Sequence, residues 1–522
     1  MLTLDFSKNS TVPLYKQIYE YFAKEIRLGI LKENSKLPSV RELTKKLGVS
    51  KNTVESAYQQ LCAEGYVVSV AKSGFVVTKV QEIFKFSEDK KIDENKISDL
   101  EKNQVSINFD KSDFIDVSSS RVDEGMFPSS VLKNLYRQAV NGDSSKNFLC
   151  RGDNLGEVDF RKTLALHLFE SRGVKCSYKQ IVIGAGTEYL LSLAVKIIEK
   201  YKSRINKIEN PKLVFAVENP GYEKTESIIC DNGAIVKKIN LDESGISVEQ
   251  IKASEVDCVY CTPAHQYPMG ITMPISRRSE LLSWAYECQL NEFKYDTKYD
   301  KNSKDNYDIK YDNSNMTNCR FIIEDDYDSD YRYQGNPIPA LQGFDTRDCV
   351  LYLGTFSRSL SPSMRVSYLV LPNRLLDIFE QEMSYYSNTV SRIEQYVLNK
   401  FICDKHFERH INRTRKIYEQ RRNVLIKALY DKIPDIKISG EDSGLHFIAK
   451  LDDIKYDNKS FKYDTQNMTN LYMTIIKKAF DKKLLIGGTE SFLIFCYAHI
   501  DESQAKQIAD ILCQIIQENM TN

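Results

Sequence analysis

Ser357, Arg358 and Arg365 stand close together where an apolar strand, Val350 to Leu353, opens into a turn crowded with small and hydroxyl side chains. The run reads Leu351-Tyr-Leu-Gly-Thr-Phe-Ser-Arg-Ser-Leu-Ser-Pro-Ser-Met-Arg365. Hydroxyls, free turn amides and two guanidinium groups are a way to hold a phosphorylated ligand. Chemistry of the kind the flanks suggest needs a lysine at the centre, and the centre is Arg358.

Other strand ends carry residues that would meet at the carboxyl edge of an open sheet, where such sheets bind ligands. Ile183 is followed by Gly184-Ala-Gly-Thr-Glu188, a short turn into a helix whose free amides suit a phosphate. Glu218-Asn-Pro-Gly-Tyr222 places an aromatic ring at a tight turn, and Thr262-Pro-Ala-His-Gln-Tyr-Pro-Met-Gly270 is another polar turn. Glu324-Asp-Asp-Tyr327 sets carboxylates directly after a strand. A carboxylate facing a ring nitrogen keeps it protonated and makes the ring an electron sink, as the aspartate partner of pyridoxal phosphate does.

The elements that must position these residues alternate short apolar strands with longer amphipathic helices from Phe114 onward, the pattern of an α/β fold with a mainly parallel sheet. Strands are expected at 180–183, 213–217, 258–261, 321–323 and 350–353. Two stretches break the rhythm. Residues 293–318 and 455–470 share Lys-Tyr-Asp repeats ending in Asn-Met-Thr-Asn, and read as low-complexity insertions without function. Cys258-Val-Tyr-Cys261 lies in an apolar strand, where an offset of three sends the thiols to opposite faces, so buried thiols are expected and no metal site. His406 and His410, one helical turn apart, read as an exposed helix face.

With 522 residues the chain exceeds one ordinary domain. No apolar run approaches transmembrane length and no signal peptide is evident, which predicts a cytoplasmic protein without a membrane partner. The net charge is zero, but residues 1–80 hold 12 Lys/Arg against 7 Asp/Glu. A small basic module on a larger acidic body points to a polyanionic partner.

That module predicts three helices. The first spans Val12 to Ile30, with Pro13 in its first turn. The second opens on Ser39 and Glu42 as a capping box and stops at Gly48, and the third runs from Lys51 to Glu64 after the cap Ser50. Two helices joined by Gly-Val-Ser form a helix-turn-helix, and residues 66–78 read as a hairpin wing around Lys72-Ser-Gly74. Lys51, Asn52 and Thr53 occupy the turn with which recognition helices reach base edges, while Ser39, Arg41 and Lys72 can hold phosphates. Pro-Ser-Val-Arg-Glu-Leu, Gly-Val-Ser-Lys-Asn-Thr-Val and Ala-Glu-Gly-Tyr resemble the winged helix of GntR-type bacterial regulators. The domain expectation is a winged helix over 1–80, a polar linker over 81–112, and an effector domain over 113–522 that includes both insertions.

Taken together, Thr-Pro-x-His-Gln-x-Pro-x-Gly, Ile-Glu-Asp-Asp-Tyr-Asp-Ser-Asp and Gly-Thr-Phe-Ser-x-Ser-Leu resemble the fold type I aminotransferase family. Joined to the winged helix, they resemble the MocR/GabR-type branch of GntR regulators, in which an aminotransferase-like domain senses a ligand and the winged helix binds DNA. The resemblance implies a large pyridoxal phosphate transferase-like domain with a smaller C-terminal subdomain. It implies phosphate contacts from Gly186, Thr187, Ser357 and Arg365, and ring stacking by Tyr222. Tyr267 would lie near the ring oxygen, and Asp325 would face the ring nitrogen with Tyr327 close by. The Schiff-base lysine would fall on Arg358. A homodimer is also implied.

Arg358 is the main departure. A Schiff base needs a primary amine that can lose its proton, whereas a guanidinium stays charged up to a pKa above about 12. No lysine occurs from 351 to 373. Nor does Ser491-Phe-Leu-Ile-Phe-Cys-Tyr-Ala-His499 carry the arginine expected in members that bind an amino-acid carboxylate, and Met269 stands where some relatives have a polar residue. The expectation is a transcriptional regulator that binds an operator in double-stranded DNA and senses pyridoxal phosphate, held non-covalently, or a related small-molecule effector, without transaminase activity. The alternative is a pyridoxal phosphate-dependent aminotransferase with an accessory DNA-binding domain.

Overall fold

Leu14–Arg27 (α1), Val40–Leu47 (α2) and Lys51–Ala63 (α3) form three helices closed by an antiparallel hairpin, Val67–Val70 (β1) with Gly74–Val77 (β2). These positions come from a computed structural model that describes residues 12–70, 74–78, 113–118, 121–142, 148–287, 320–333, 337–451, 455–456, 459–460 and 465–520. Lys72, residues 81–112 and the stretch 293–318 lie outside the described residues. Contacts within the chain divide it into two units, Met1–Asp110 and Lys111–Asn522.

In the first unit Ile18, Phe22 and Ile26 of α1, Leu43 of α2, Val54, Tyr58 and Leu61 of α3, and Val67 and Val77 of the hairpin make one core. Ser39 accepts a hydrogen bond from the Glu42 amide at 3.2 Å, the forward half of the expected capping box. Gly48 ends α2 in the left-handed conformation (φ +62°), which L side chains reach only at a cost, and so turns the chain sharply into α3. The Tyr58 hydroxyl donates to the Pro38 carbonyl at 2.9 Å and ties α3 to the start of α2.

The second unit is built on an eight-stranded sheet. Val158–Arg172 (α4) precedes Ile181–Gly184 (β3), which passes through a glycine turn into Thr187–Asn206 (α5). The other strands are Val214–Asn219 (β4), Ile235–Asp242 (β5), Gly245–Ile246 (β6), Cys258–Cys261 (β7), Phe321–Asp326 (β8), Val350–Thr355 (β9) and Ser367–Val370 (β10). Their order is β3-β10-β9-β8-β7-β4-β5-β6, and only β10 and β6 run against the rest. The central strands β7, β8 and β9 open on continuous apolar runs because both faces are covered, whereas β5, near the sheet edge, carries two lysines and is largely exposed. Phe215, Val217, Cys258, Tyr260, Phe321, Ile323, Leu351 and Leu353 pack on one face. Ala216, Val259, Cys261, Ile322 and Val350 pack on the other. Cys258 and Cys261 thus bury their thiols on opposite sides, as the offset of three requires.

Beyond the sheet, Arg392–Cys403 (α6) and His406–Lys432 (α7) lead into a four-stranded antiparallel sheet of Lys437–Ser439 (β11), His446–Lys450 (β12), Gly487–Gly488 (β13) and Leu493–Cys496 (β14), ordered β11-β12-β14-β13. Lys455–Tyr456 pairs with Lys459–Ser460, and the helix Thr465–Asp481 begins inside the second Lys-Tyr-Asp stretch. Among the described residues no helix is long and apolar enough to cross a membrane.

One expectation is corrected here. His410 does not belong to an exposed helix face: it is buried, and its Nε2 lies 2.8 Å from the Ser359 carbonyl oxygen. Helix α7 turns that face inward, and the contact fixes the backbone beside Arg358. Burial lowers the pKa of His410, favouring the neutral ring.

Candidate functional site

In the first unit Ser39, Arg41, Ser50, Lys51, Asn52 and Gly74 are exposed, and Thr53 is half-buried. Ser50 caps α3 by accepting from the Thr53 amide at 3.1 Å, and its hydroxyl shares a 2.8 Å hydrogen bond with that of Thr53. Thr53 is therefore engaged in holding the helix start, and Asn52 and Lys51 are the outward residues of that turn. Lys51 reaches back to Glu55 at 3.2 Å, an exposed i,i+4 pair that holds its ammonium only weakly. Among the described residues no carboxylate bridges Arg41, Lys45 or Lys46, so these cations along α2 are free for phosphates.

In the second unit the parallel strands end together, and the expected residues of the pocket lie at that edge. The first part is a phosphate-sized cradle. Gly186 has φ +98° at the start of the 20-residue helix α5, and a Cβ built there would lie 2.0 Å from Nη2 of Arg365. The φ of Gly186 favours glycine there, and the guanidinium lies across the helix N-terminus, where the helix dipole favours an anion. Arg365 itself adopts φ +51°, a conformation that costs a non-glycine residue about 1–2 kcal/mol. Its Nη2 pairs with Glu188 at 2.5 Å. Burial penalises the Glu188 charge, but its own backbone amide and Arg365 outweigh that and hold the carboxyl below its ordinary pKa. Across the cradle the Ser357 amide donates to Thr355 Oγ1 at 3.1 Å, and the Ser367 hydroxyl donates to the same oxygen at 2.8 Å.

The second part is an aromatic wall. The rings of Tyr222 and Tyr267 meet edge to face with centroids 5.7 Å apart, and Tyr267 meets Tyr327 in the same way at 6.2 Å. Glu218 fixes both loops. Its carboxylate accepts from the Thr262 amide at 3.2 Å, the Thr262 hydroxyl at 2.6 Å and Gln266 Nε2 at 3.2 Å. Gln266 Nε2 also donates to the Pro220 carbonyl at 3.0 Å, and the Tyr267 amide donates to the Thr262 hydroxyl at 3.2 Å. Burial pushes the Glu218 carboxyl up to about 7 despite these donors. A cavity of about 510 Å³ opens on this wall, lined by Tyr222, Tyr267, Tyr260, Gly487, Gly488 and Ile494. Ile494 packs with Met269, Ile448 and Phe492, so that end of the cavity is apolar.

Asp325 forms the floor at the end of β8. Tyr260 on β7 donates to its Oδ2, while its Oδ1 is buried with no hydrogen-bond partner. Burial raises the carboxyl to about 7. An orphaned carboxylate oxygen at a strand end calls for a donor with positive character, and a protonated ring nitrogen is such a group. Together with the anion cradle and the aromatic wall, these residues fit the phosphate and ring of pyridoxal phosphate. They do not fit a covalent anchor: Arg358 is half-buried, with its guanidinium carbon 6.0 Å from the centre of the Tyr327 ring.

Behind Tyr327, His265 Nδ1 lies 3.0 Å from both Asp328 oxygens and 3.2 Å from the Tyr327 hydroxyl. Burial opposes its charge, but Asp328 prevails and raises its pKa. Burial, with His265 adding, pushes His446 down to about 3, and its Nε2 donates to the Pro268 carbonyl at 3.0 Å. His265, Asp328 and His446 therefore clasp the loops behind the aromatic wall through hydrogen bonds. Glu218, Tyr260 and His410 escape a reading of the sequence because their partners lie 44 to 65 residues away. Alternation along β7, which puts Tyr260 on the face opposite Cys261, is the only local signal for any of them.

Comparison with known proteins agrees with this two-part construction. Residues 14–77 match the family model "Bacterial regulatory proteins, gntR family", and residues 326–512 match "Aminotransferase class I and II". The chain is 35% identical over 454 residues, 86% of each chain, to the uncharacterized HTH-type transcriptional regulator YdeL of Bacillus subtilis (strain 168). It is 27% identical to the probable rhizopine catabolism regulatory protein MocR of Rhizobium meliloti, over 86% of this chain and 84% of that one. Among solved structures, the multiple substrate aminotransferase of Thermococcus profundus superposes with a TM-score of 0.61 at 20% identity, over 78% of this chain and 93% of that one, which shows the fold.

Proposed function

Since the chain belongs to the MocR-type branch of the GntR regulators, a helix-turn-helix domain joined to an aminotransferase-like domain, and is a DNA-binding transcriptional regulator, we propose that its larger unit is a sensor and not a transaminase. The sensed ligand is pyridoxal phosphate or a related phosphorylated molecule, held without a covalent bond. The domains divide as a winged helix over 1–80, a linker over 81–112 and the effector domain over 113–522, and the protein works in the cytoplasm as a homodimer on a repeated operator.

One observation carries this reading: a buried Asp325 oxygen has no hydrogen-bond partner at the sheet edge where Arg358 stands in place of the expected lysine. Gly186, Thr187, Ser357 and Arg365 take the phosphate, Tyr222 stacks on the ring, Tyr267 and Tyr327 flank the ring oxygen, and Asp325 holds a proton on the ring nitrogen. When bound, the cofactor supplies an electron sink for amino-acid chemistry. Arg358 cannot use it, because a guanidinium stays protonated and neither adds to the carbonyl carbon nor takes up a substrate proton.

The test is titration of the purified full chain with pyridoxal phosphate, followed by absorption and by borohydride treatment. Saturable binding without a borohydride-fixed adduct, and no amino-group exchange with a keto acid, is the expected result. A trapped adduct on the native chain, or measurable exchange, overturns it.

A further inference from the structure

A second cavity, of about 410 Å³, lies on the other side of the sheet edge, where α4, the loop after β8 and α7 meet. Its size falls within the roughly 300–1,000 Å³ of small-ligand sites. Its lining combines a guanidinium with an unmet donor, a second guanidinium, a carboxyl and an apolar wall.

The donor is Arg172. The residue is only 5% exposed, its Nε pairs with Asp326 at 2.8 Å and its Nη1 donates to the Ile338 carbonyl, but its Nη2 is buried with no partner. A buried guanidinium nitrogen without an acceptor carries a penalty that a ligand oxygen would relieve. Beside it, Arg415 gives its Nε and Nη2 to the backbone carbonyl of Asp330, at 3.1 and 2.8 Å, and its Nη1 to Asn412. Among the described residues no carboxylate lies within ion-pair distance of it, and Asp330 is a carboxyl that interacts with its charge. The acceptor is Asp330, which lines the cavity; burial raises its carboxyl to about 6, with Asp326 adding and Arg172 and Arg415 opposing. The apolar wall is Ile402, Ile411 and Leu166, the last left 58% exposed on α4 at the cavity.

We propose that this cavity is a second small-molecule site, for an aliphatic amino acid whose carboxylate meets Arg172 and Arg415, whose ammonium meets Asp330, and whose side chain packs on Leu166, Ile402 and Ile411. A ligand here is linked to the first pocket by two short paths. Arg172 is paired with Asp326, the neighbour of Asp325. Helix α7, which supplies Ile411 and Arg415, also supplies His410 to the Ser359 carbonyl beside Arg358. The site does not depend on pyridoxal phosphate occupying the first pocket.

Calorimetric titration of the full chain with L-leucine tests it, beside 4-methylpentanoate, which lacks the ammonium, and 3-methylbutylamine, which lacks the carboxylate. L-Leucine is expected to bind saturably, and each half-ligand at least about tenfold more weakly. Leu166→Trp, at an exposed helix position that leaves folding intact, fills the wall and is expected to weaken L-leucine by about tenfold or more, as is Asp330→Asn. Asp325→Ala is expected to leave L-leucine binding within about twofold, since the two pockets are distinct. No saturable binding of L-leucine, undiminished binding in Leu166→Trp, or loss confined to Asp325→Ala would overturn the proposal. The last outcome would place the amino acid in the first pocket and leave the sensor reading of that pocket standing.

Discussion

The guanidinium carbon of Arg358 stands 6.0 Å from the centre of the Tyr327 ring, within reach of a cation–π attraction. Tyr327 in turn contacts His265 and Tyr267, so the cation adjoins the aromatic wall. Its charge also opposes the rise in the Tyr267 pKa that burial causes. A guanidinium at this position stays protonated and cannot form a Schiff base.

Replacing that group by a primary amine restores the missing chemistry. Arg358→Lys is expected to form a borohydride-trappable adduct with pyridoxal phosphate and a new visible absorption band, neither of which is expected of the native chain. Mass spectrometry of the trapped protein checks the site of attachment. If the introduced amine stays unmodified under saturating cofactor, the ring does not lie beside this loop.

Asp325→Asn keeps the shape of the side chain and removes its charge. If Asp325 Oδ1 receives a protonated ring nitrogen, the substitution removes a charge-assisted hydrogen bond worth roughly 1.5–3 kcal/mol, so pyridoxal phosphate affinity should fall about 10- to 100-fold. Inorganic phosphate, which has no ring, should bind the cradle at Gly186 and Arg365 with unchanged affinity. Equal losses for both ligands would indicate a general disturbance of the pocket.

Glu218 supplies a pH signature. Burial raises its carboxyl from 4.5 to about 7, so its contribution to folding is fully present below about pH 4.5 and is lost as pH rises through 7. Glu218→Gln cannot titrate. The stability of the native protein relative to this variant should therefore fall by on the order of 2 kcal/mol between pH 5 and pH 8. Urea unfolding of both proteins at the two pH values measures the change, and a pH-independent difference would show that the carboxyl titrates normally.

Much of this pocket can be read from local spacing. Strand ends followed by Gly186, Tyr222, Asp325 or Ser357 announce themselves, because an apolar run that stops at a polar turn is a local pattern. The expected strands at 258–261, 321–323 and 350–353 coincide with β7 and with the first residues of β8 and β9; β8 continues through Glu324, Asp325 and Asp326, which stay buried, and partners from other elements satisfy Glu324 and Asp326. What cannot be read is what crosses between elements. In the sequence Glu218 is part of a turn, yet its carboxylate locks two loops together. His410 reads as surface, yet α7 presses it against Ser359. Arg172, the last residue of α4, is buried against Asp326, which no local pattern announces. Helical spacing places a side chain on a face, but only the fold decides what covers that face.

The DNA-binding reading makes a prediction that separates positioning from base recognition. Arg41 lies exposed at the start of α2 and is free of carboxylate partners among the described residues, so it should contact a phosphate. Arg41→Ala should weaken operator binding and non-specific binding alike, and reduce the slope of log affinity against log salt by about 1 per recognition unit. Asn52, exposed in the first turn of α3 and uncharged, should behave differently. Asn52→Ala should cost roughly 1–3 kcal/mol on the operator, leave the salt slope intact and leave non-specific DNA nearly unaffected. Lys51 falls between the two, since its ammonium is shared with Glu55 and is released to DNA at little cost. Mobility shifts of the three alanine variants on operator and random duplex across a salt series give both quantities. A common loss with a common change of slope for Arg41→Ala and Asn52→Ala would show that α3 does not enter the major groove by its first turn.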